Sequence, residues 1–221
     1  LPESSRPLLA GLIGTAANFG LALMGIIATQ VHITPDSWRW VMLVGAAPLL
    51  LGFFVLAFVP ESPSWRWTQN LTGGTGTARK VIPIGTVFRP PYLHLTIIGI
   101  CLGTIPLLGG WGSLNWLIPW AGQVGGEAMP GLTGQTQLMR SAGAILGSLL
   151  GGFLANQFGR RLTYFVISLG SVLAGGYIFW FLNPLDESFL FWVFVMGFVG
   201  TIFFGWLPLY LPELFPTEVR A

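Results

Sequence analysis

The 221-residue chain is 53% hydrophobic and 8% charged, with 31 glycines, 16 prolines and a net charge of +2, and its mean hydropathy is +0.72. An ordinary soluble domain is about 25% charged, so this composition excludes one and points to lipid as the main solvent. The weak positive balance gives no case for a nucleic-acid partner, and the single cysteine, Cys101, excludes an internal disulfide and a cysteine metal cluster.

The chain starts at Leu1 with no charged n-region and cleavage site behind it, which reads as a fragment of a longer protein. Pro2-Glu3-Ser4-Ser5-Arg6 opens the chain and Pro216-Thr217-Glu218-Val219-Arg220 nearly closes it, both of the form Pro-x-x-x-Arg. That recurrence predicts one period of a duplicated membrane protein, an arrangement in which two similar halves surround a central site. Six apolar runs reach the roughly 20 residues a bilayer requires: Leu8–Gln30, Trp38–Val59, Tyr92–Trp120, Leu132–Gln157, Leu162–Leu182 and Ser188–Leu211. The third is interrupted by Pro106, Gly109 and Gly110 and is expected to be broken or bent, its freed backbone groups satisfied inside the protein. The runs are too long for strands and lack a barrel's alternation, so the fold class is an all-α polytopic membrane protein.

Six spans put both ends on one side. That side carries Arg6, Arg66, Arg79, Lys80, Arg89, Arg160, Arg161 and Arg220, against Arg39 alone on the other, while the acids divide evenly. The asymmetry predicts cytoplasmic ends and a cytoplasmic loop at 60–91. Within that loop Gly73-Gly74-Thr75-Gly76-Thr77 reads as flexible linker; it lacks the lysine and spacing of a phosphate-binding loop.

The fourth and fifth runs are joined by Gly152-Phe153-Leu154-Ala155-Asn156-Gln157-Phe158-Gly159-Arg160-Arg161. Gly159 permits an abrupt turn, and the arginines suit a cytoplasmic boundary. This loop resembles the G-x-L-A-D-x-x-G-R-R signature of the major facilitator superfamily. Pro60-Glu61-Ser62-Pro63-Ser64-Trp65 is similar to the P-E-S-P-R motif after helix six of its sugar-porter-like branch. Pro212-Glu213-Leu214-Phe215-Pro216-Thr217-Glu218-Val219-Arg220 is similar to the P-E-x-F-P-x-x-x-R motif after helix ten. The resemblance covers the whole chain and implies a fragment holding helices 5–10 of twelve, across the junction of two six-helix halves. On that reading residues 1–59 end the N-terminal half (helices 5–6), 60–91 form the cytoplasmic interdomain loop, and 92–221 belong to the C-terminal half (helices 7–10). It also implies a cytoplasmic gate of charged loops, closed when the protein faces outward, formed here by Glu61, Gly152, Asn156, Gly159, Arg160, Arg161, Glu213, Arg220 and Arg6. The chain departs from the motifs at Asn156, in place of Asp, and at Ser64, in place of Arg.

Arg140 is the ionisable residue deepest in a predicted span, about 25 Å from Gln157 at ~1.5 Å per residue. A cation inside a span is by default a functional candidate; the alternative is that it snorkels to the outer surface. Gln137, Gly143, Gly147 and Gly151 share its face by helical spacing, and small residues favour close helix packing, so that face is expected to be interior. An arginine there suits a carboxylate, held by two parallel hydrogen bonds. Further substrate-binding candidates are Asn115 and Trp116 in the third run, where the tryptophans alternatively form an interfacial belt, Asn18 in the first run and Tyr210 in the last; Trp206 reads as packing. The glutamine pair that sugar porters carry in helix seven is absent. No carboxylate lies within the six runs, so a titratable coupling group has to be sought outside them. His32 and His94 read as boundary residues.

The expected function is a secondary active transporter that moves a small polar solute, an organic acid first and a sugar-like metabolite second, by alternating access. A co-transported proton or cation and the bilayer are its expected partners, in a multi-pass location in a plasma or bacterial inner membrane. No cofactor, metal or enzymatic constellation is expected. The alternative is a non-transporting membrane receptor or sensor on the same scaffold.

Overall fold

A computed structural model describes residues 6–31, 38–61, 63, 66, 84–126 and 128–216. Its six long helices are α1 (Arg6–Gln30), α2 (Arg39–Phe58), α3 (Leu93–Gly125), α4 (Leu132–Phe158), α5 (Arg160–Phe181) and α6 (Phe189–Glu213). All six are long and apolar enough to cross a membrane, and no strand occurs among the described residues. Each coincides with one of the six apolar runs. The motif residues Pro2 and Arg220, the glycine-rich linker and His32 lie outside the described residues, as does the side chain of Arg6, the first residue of α1.

Several prolines and glycines lie inside helices rather than between them. Pro106 has no N–H to donate within α3, and the next six residues, Leu107–Gly112, form a π turn before the α-helix resumes at Ser113. The expected interruption is therefore a π turn within one continuous helix. Pro119 is also accommodated, and α3 runs on past Trp120 to Gly125. In α6, Ile202–Gly205 tighten into a 3-10 turn, Trp206 leaves helical geometry with φ of −142°, and the helix restarts at Leu207. α2 consists of Arg39–Gly45 and Pro48–Phe58, with Pro48 opening its second piece, and none of its residues is buried.

The chain divides into two compact units: residues 1–32 with 87–221, and residues 33–86. The first unit therefore joins α1 to α3–α6, and α4 is its centre. α1 lies along one face of α4, where a Cβ on Gly25 would sit 2.9 Å from the Leu138 nitrogen and one on Gly134 would sit 2.7 Å from the Thr29 nitrogen. α6 lies along another face. There a Cβ on Gly143, Gly147 or Gly151 would overlap the carbonyls of Phe194, Phe198 and Ile202, and one on Gly197 or Gly205 would overlap those of Arg140 and Ser148. Glycines on both helices thus let the two backbones touch, the arrangement that replaces hydrophobic driving force in an apolar medium.

Two apolar clusters bracket the middle of this unit. One gathers Leu114, Leu117, Leu132, Ile178, Phe189 and Met196. The other gathers Ala155, Ile167, Ile202, Phe203, Trp206 and Leu207 toward the other end of α4. Between them along α4 lie Arg140, Ser141 and Ser148, all buried.

Gly147→Ala is expected to destabilise the purified protein by about 1–3 kcal/mol, because the new methyl has no space beside α6. Gly20, with nothing within 4 Å of its missing Cβ, is expected to tolerate alanine without loss. Thermal unfolding in detergent checks the pair; equal behaviour of the two variants would contradict this packing.

Candidate functional site

The middle layer is built from four helices of the first unit. Arg140 projects from the third turn of α4 and is 7% exposed. Its Nη1 donates to Oδ1 of Asn115, on α3 just past the π turn, at 2.8 Å. No carboxylate pairs with the guanidinium among the described residues. One neutral acceptor leaves most of its five donors available. Arginine at this position is interior and does not reach for the surface.

Around it the polar groups are tied across helices. Asn18 of α1 donates to the Ser148 hydroxyl at 3.3 Å and to the Gly14 carbonyl at 3.2 Å. Gln137 donates to the Leu21 carbonyl of α1 and to the Ser141 hydroxyl, both at 3.2 Å. Thr201 of α6 donates to the Ala144 carbonyl of α4 at 3.1 Å. Asn18, Trp111, Leu114, Arg140, Ala144 and Thr201 enclose a recess of about 10 Å³, room for one water. The layer therefore has a cation, one amide and a hydroxyl facing a small void, with α1, α3, α4 and α6 all contributing.

Of the substrate-binding candidates read from the sequence, Arg140, Asn115 and Asn18 come together here, and Gln137 joins them through α1 and Ser141. Two do not. Trp116 is 69% exposed and faces a separate recess with Pro119, Trp120, Gln123 and Phe179. Consecutive helical residues point about 100° apart, so Trp116 turns away where Asn115 turns in; Trp111, four residues before Asn115, is the tryptophan at the recess. Tyr210 lies in the other apolar end, its ring 5.7 Å from that of Trp206 and 4.8 Å from the Arg160 guanidinium. Ser148 and Thr201 were not singled out from the sequence. Ser148 lies eight residues after Arg140 and shares its face, a spacing that was available; Thr201 was not legible without the packing of α6.

At that other end α4 and α5 are separated by Gly159 alone, with φ of +81°, a conformation glycine adopts without strain. Arg160 and Arg161 consequently begin α5 rather than belonging to a loop. Arg160 forms an ion pair with Glu213 at the end of α6, and the two side chains are 50% and 44% exposed. An exposed pair of this kind contributes about 0–1 kcal/mol; stacking on Tyr210 adds a cation–π contact. Gly152 is buried and Asn156 and Arg161 are exposed. Glu61 is exposed and belongs to the second unit.

The profile of the Major Facilitator Superfamily matches residues 1–221. The chain belongs to this superfamily. It is 24% identical over its whole length to a cis,cis-muconate transport protein of Acinetobacter baylyi, covering 53% of that protein. It is 28% identical over 98% of its length to an inner membrane metabolite transport protein of Escherichia coli, covering 49% of it. With an arabinose-proton symporter of Bacillus subtilis it shares 23% identity over its whole length and 52% of the symporter. The chain thus spans about half the length of the curated relatives it matches. No solved structure matches it significantly.

Proposed function

We propose that this superfamily member is part of a secondary active transporter whose solute is a small organic anion, held at Arg140 in the layer between the two apolar clusters. The observation that carries the reading is the Arg140 guanidinium: buried, hydrogen-bonded to a neutral amide and without a carboxylate partner among the described residues. Burying a cation unpaired is costly, and an anionic solute would compensate it while using the planar fork for two hydrogen bonds. The relative from Acinetobacter baylyi is named for muconate, a dicarboxylate, which agrees with this chemistry. A sugar-like metabolite is the second reading, supported by the name of the arabinose-proton symporter; that name also supports a co-transported proton. On this reading the two halves of the carrier rock around the site, and the chain holds the end of one half, an interdomain loop at 60–91 and four helices of the other. The Arg160–Glu213 pair, with Arg161, Asn156 and Arg220, would then belong to the cytoplasmic gate. No enzymatic step is needed for it.

The test is uptake of radiolabelled cis,cis-muconate into proteoliposomes holding the full-length carrier, with succinate and arabinose as competitors. Arg140→Gln is expected to raise KM about 10- to 100-fold, the range lost with a charged hydrogen bond. Arg140→Lys is expected to fall between it and wild type, because an ammonium lacks the fork. Competition by succinate should weaken in both, most in Arg140→Gln. Wild-type uptake by Arg140→Gln would overturn the anion reading, and competition by arabinose alone would favour the sugar.

We also propose an inner-membrane location with both ends of this chain and the 60–91 loop on the cytoplasmic side, on the basic asymmetry of the loops. Membrane-impermeant thiol labelling of intact cells should reach a Cys placed at Asp186 and miss one placed at Thr75. The reverse pattern would invert the topology.

A further inference from the structure

The helix that carries Asn115 is distorted immediately before it. Pro106 has no N–H, so the carbonyl four residues back, that of Leu102, has no donor within α3. A carbonyl without a partner in an apolar medium is costly. Across the helix pair, the hydroxyl of Tyr164 on α5 donates to that same Leu102 carbonyl at 3.2 Å. The ring that carries the hydroxyl is fixed edge-on against Phe203, with centroids 4.9 Å apart, and against Trp206, at 6.4 Å. Tyr164 therefore reaches α3 from a rigid base.

Directly beyond this bond comes the π turn at Leu107–Gly112. A π turn holds one residue more than an α turn. Each α-helical residue advances the chain by about 100°, so one extra residue changes which side chain of the following helix faces α4. With the π turn present, Asn115 meets Arg140 and Leu114 packs near Gly200, where a Cβ would lie 3.2 Å from Leu114 Cδ1. Without it, a neighbour of Asn115 would take that direction. Ser168 and Ser171, one and two turns along α5 from Tyr164, line with Ser113 the cleft of about 290 Å³ beside the π turn. Their hydroxyls have no partner among the described residues. Of the three hydroxyls on this side of α5, that of Tyr164 is the one engaged with α3.

We infer that Tyr164 is a positioning residue for the Arg140 site: its hydroxyl captures the carbonyl that Pro106 leaves free and holds α3 in the π-turned register that aims Asn115 at Arg140. The consequence for transport rests on the reading of Arg140 and Asn115 as the solute site. The register itself does not, and the experiment reads the two separately.

In the full-length carrier with Cys101→Ser, the pair Leu114→Cys and Gly200→Cys reports the register of α3 by disulfide formation under mild oxidation. Tyr164→Phe keeps the ring and its packing and removes only the hydroxyl. It is expected to lower the cross-link yield severalfold and, without the cysteine pair, to raise KM for labelled muconate by about tenfold, as one lost hydrogen bond at the site would. In a Pro106→Ala background the Leu102 carbonyl regains a helical donor, so Tyr164→Phe is expected to change neither quantity further; this non-additivity separates positioning from packing. Unchanged cross-linking in Tyr164→Phe, or the same loss in the Pro106→Ala background, would overturn the inference. Normal uptake by Arg140→Gln alongside the expected cross-linking would remove the solute site and leave the register role standing.

Discussion

Everything in the first unit is arranged around a guanidinium at the centre of an apolar helix bundle. Arg140 cannot be hydrated there as it would be at a surface, so the helices about it have to supply polar groups without opening a path to lipid. The unit meets both demands at once. Glycines bring α6 against α4 so closely that backbone touches backbone, and the space thus saved is used on the remaining faces for Asn18, Gln137 and Asn115. Apolar clusters close the layer at both ends. The arrangement puts the strongest hydrogen-bonding group where water is scarcest, which is where an anion would gain most from it.

The same constraint accounts for the irregular stretches of helix. Continuous helices are required in an apolar medium because backbone groups have no other partners. The π turn in α3 and the 3-10 turn in α6 are therefore departures that need local compensation. In α3 the compensation is visible as the bond from Tyr164 to the Leu102 carbonyl. In α6 the irregular turn lies beside Gly151, Gly205 and the carbonyl of Ser148, where its backbone touches that of α4. Both departures flank the polar layer rather than falling at random along the spans.

How much of this was legible in the sequence follows from what kind of interaction each feature needs. The six helices were readable because hydropathy acts locally, and they coincide with the apolar runs. Their ends were less so: α3 continues through Pro119 to Gly125, and α5 begins directly at Arg160 after a one-residue turn at Gly159. The interior position of Arg140 was readable from the glycines spaced along its face. The partnership with Asn115 was only half readable, since an inserted residue in a π turn resets helical phase and no count along the sequence detects it. Trp116 follows Asn115 by one residue in regular helix and so points about 100° away from it, while Trp111 is the tryptophan at the recess. The position of Tyr210 in a span suggests a cavity residue, but its contact with Arg160, from another helix, is tertiary and leaves no trace in local pattern. The pairing of Arg160 with Glu213 agrees with motif residues that the family resemblance had brought together.

If Arg140 is the solute site, its charge is completed by a carboxylate that arrives from outside the protein. A cryo-electron microscopy map of the full-length carrier with saturating dicarboxylate tests it most directly. Ligand density is expected within about 3 Å of the Arg140 guanidinium, beside Asn115 and between the two apolar clusters. Arg140 paired instead with a carboxylate of the protein itself, and ligand density elsewhere, would contradict it.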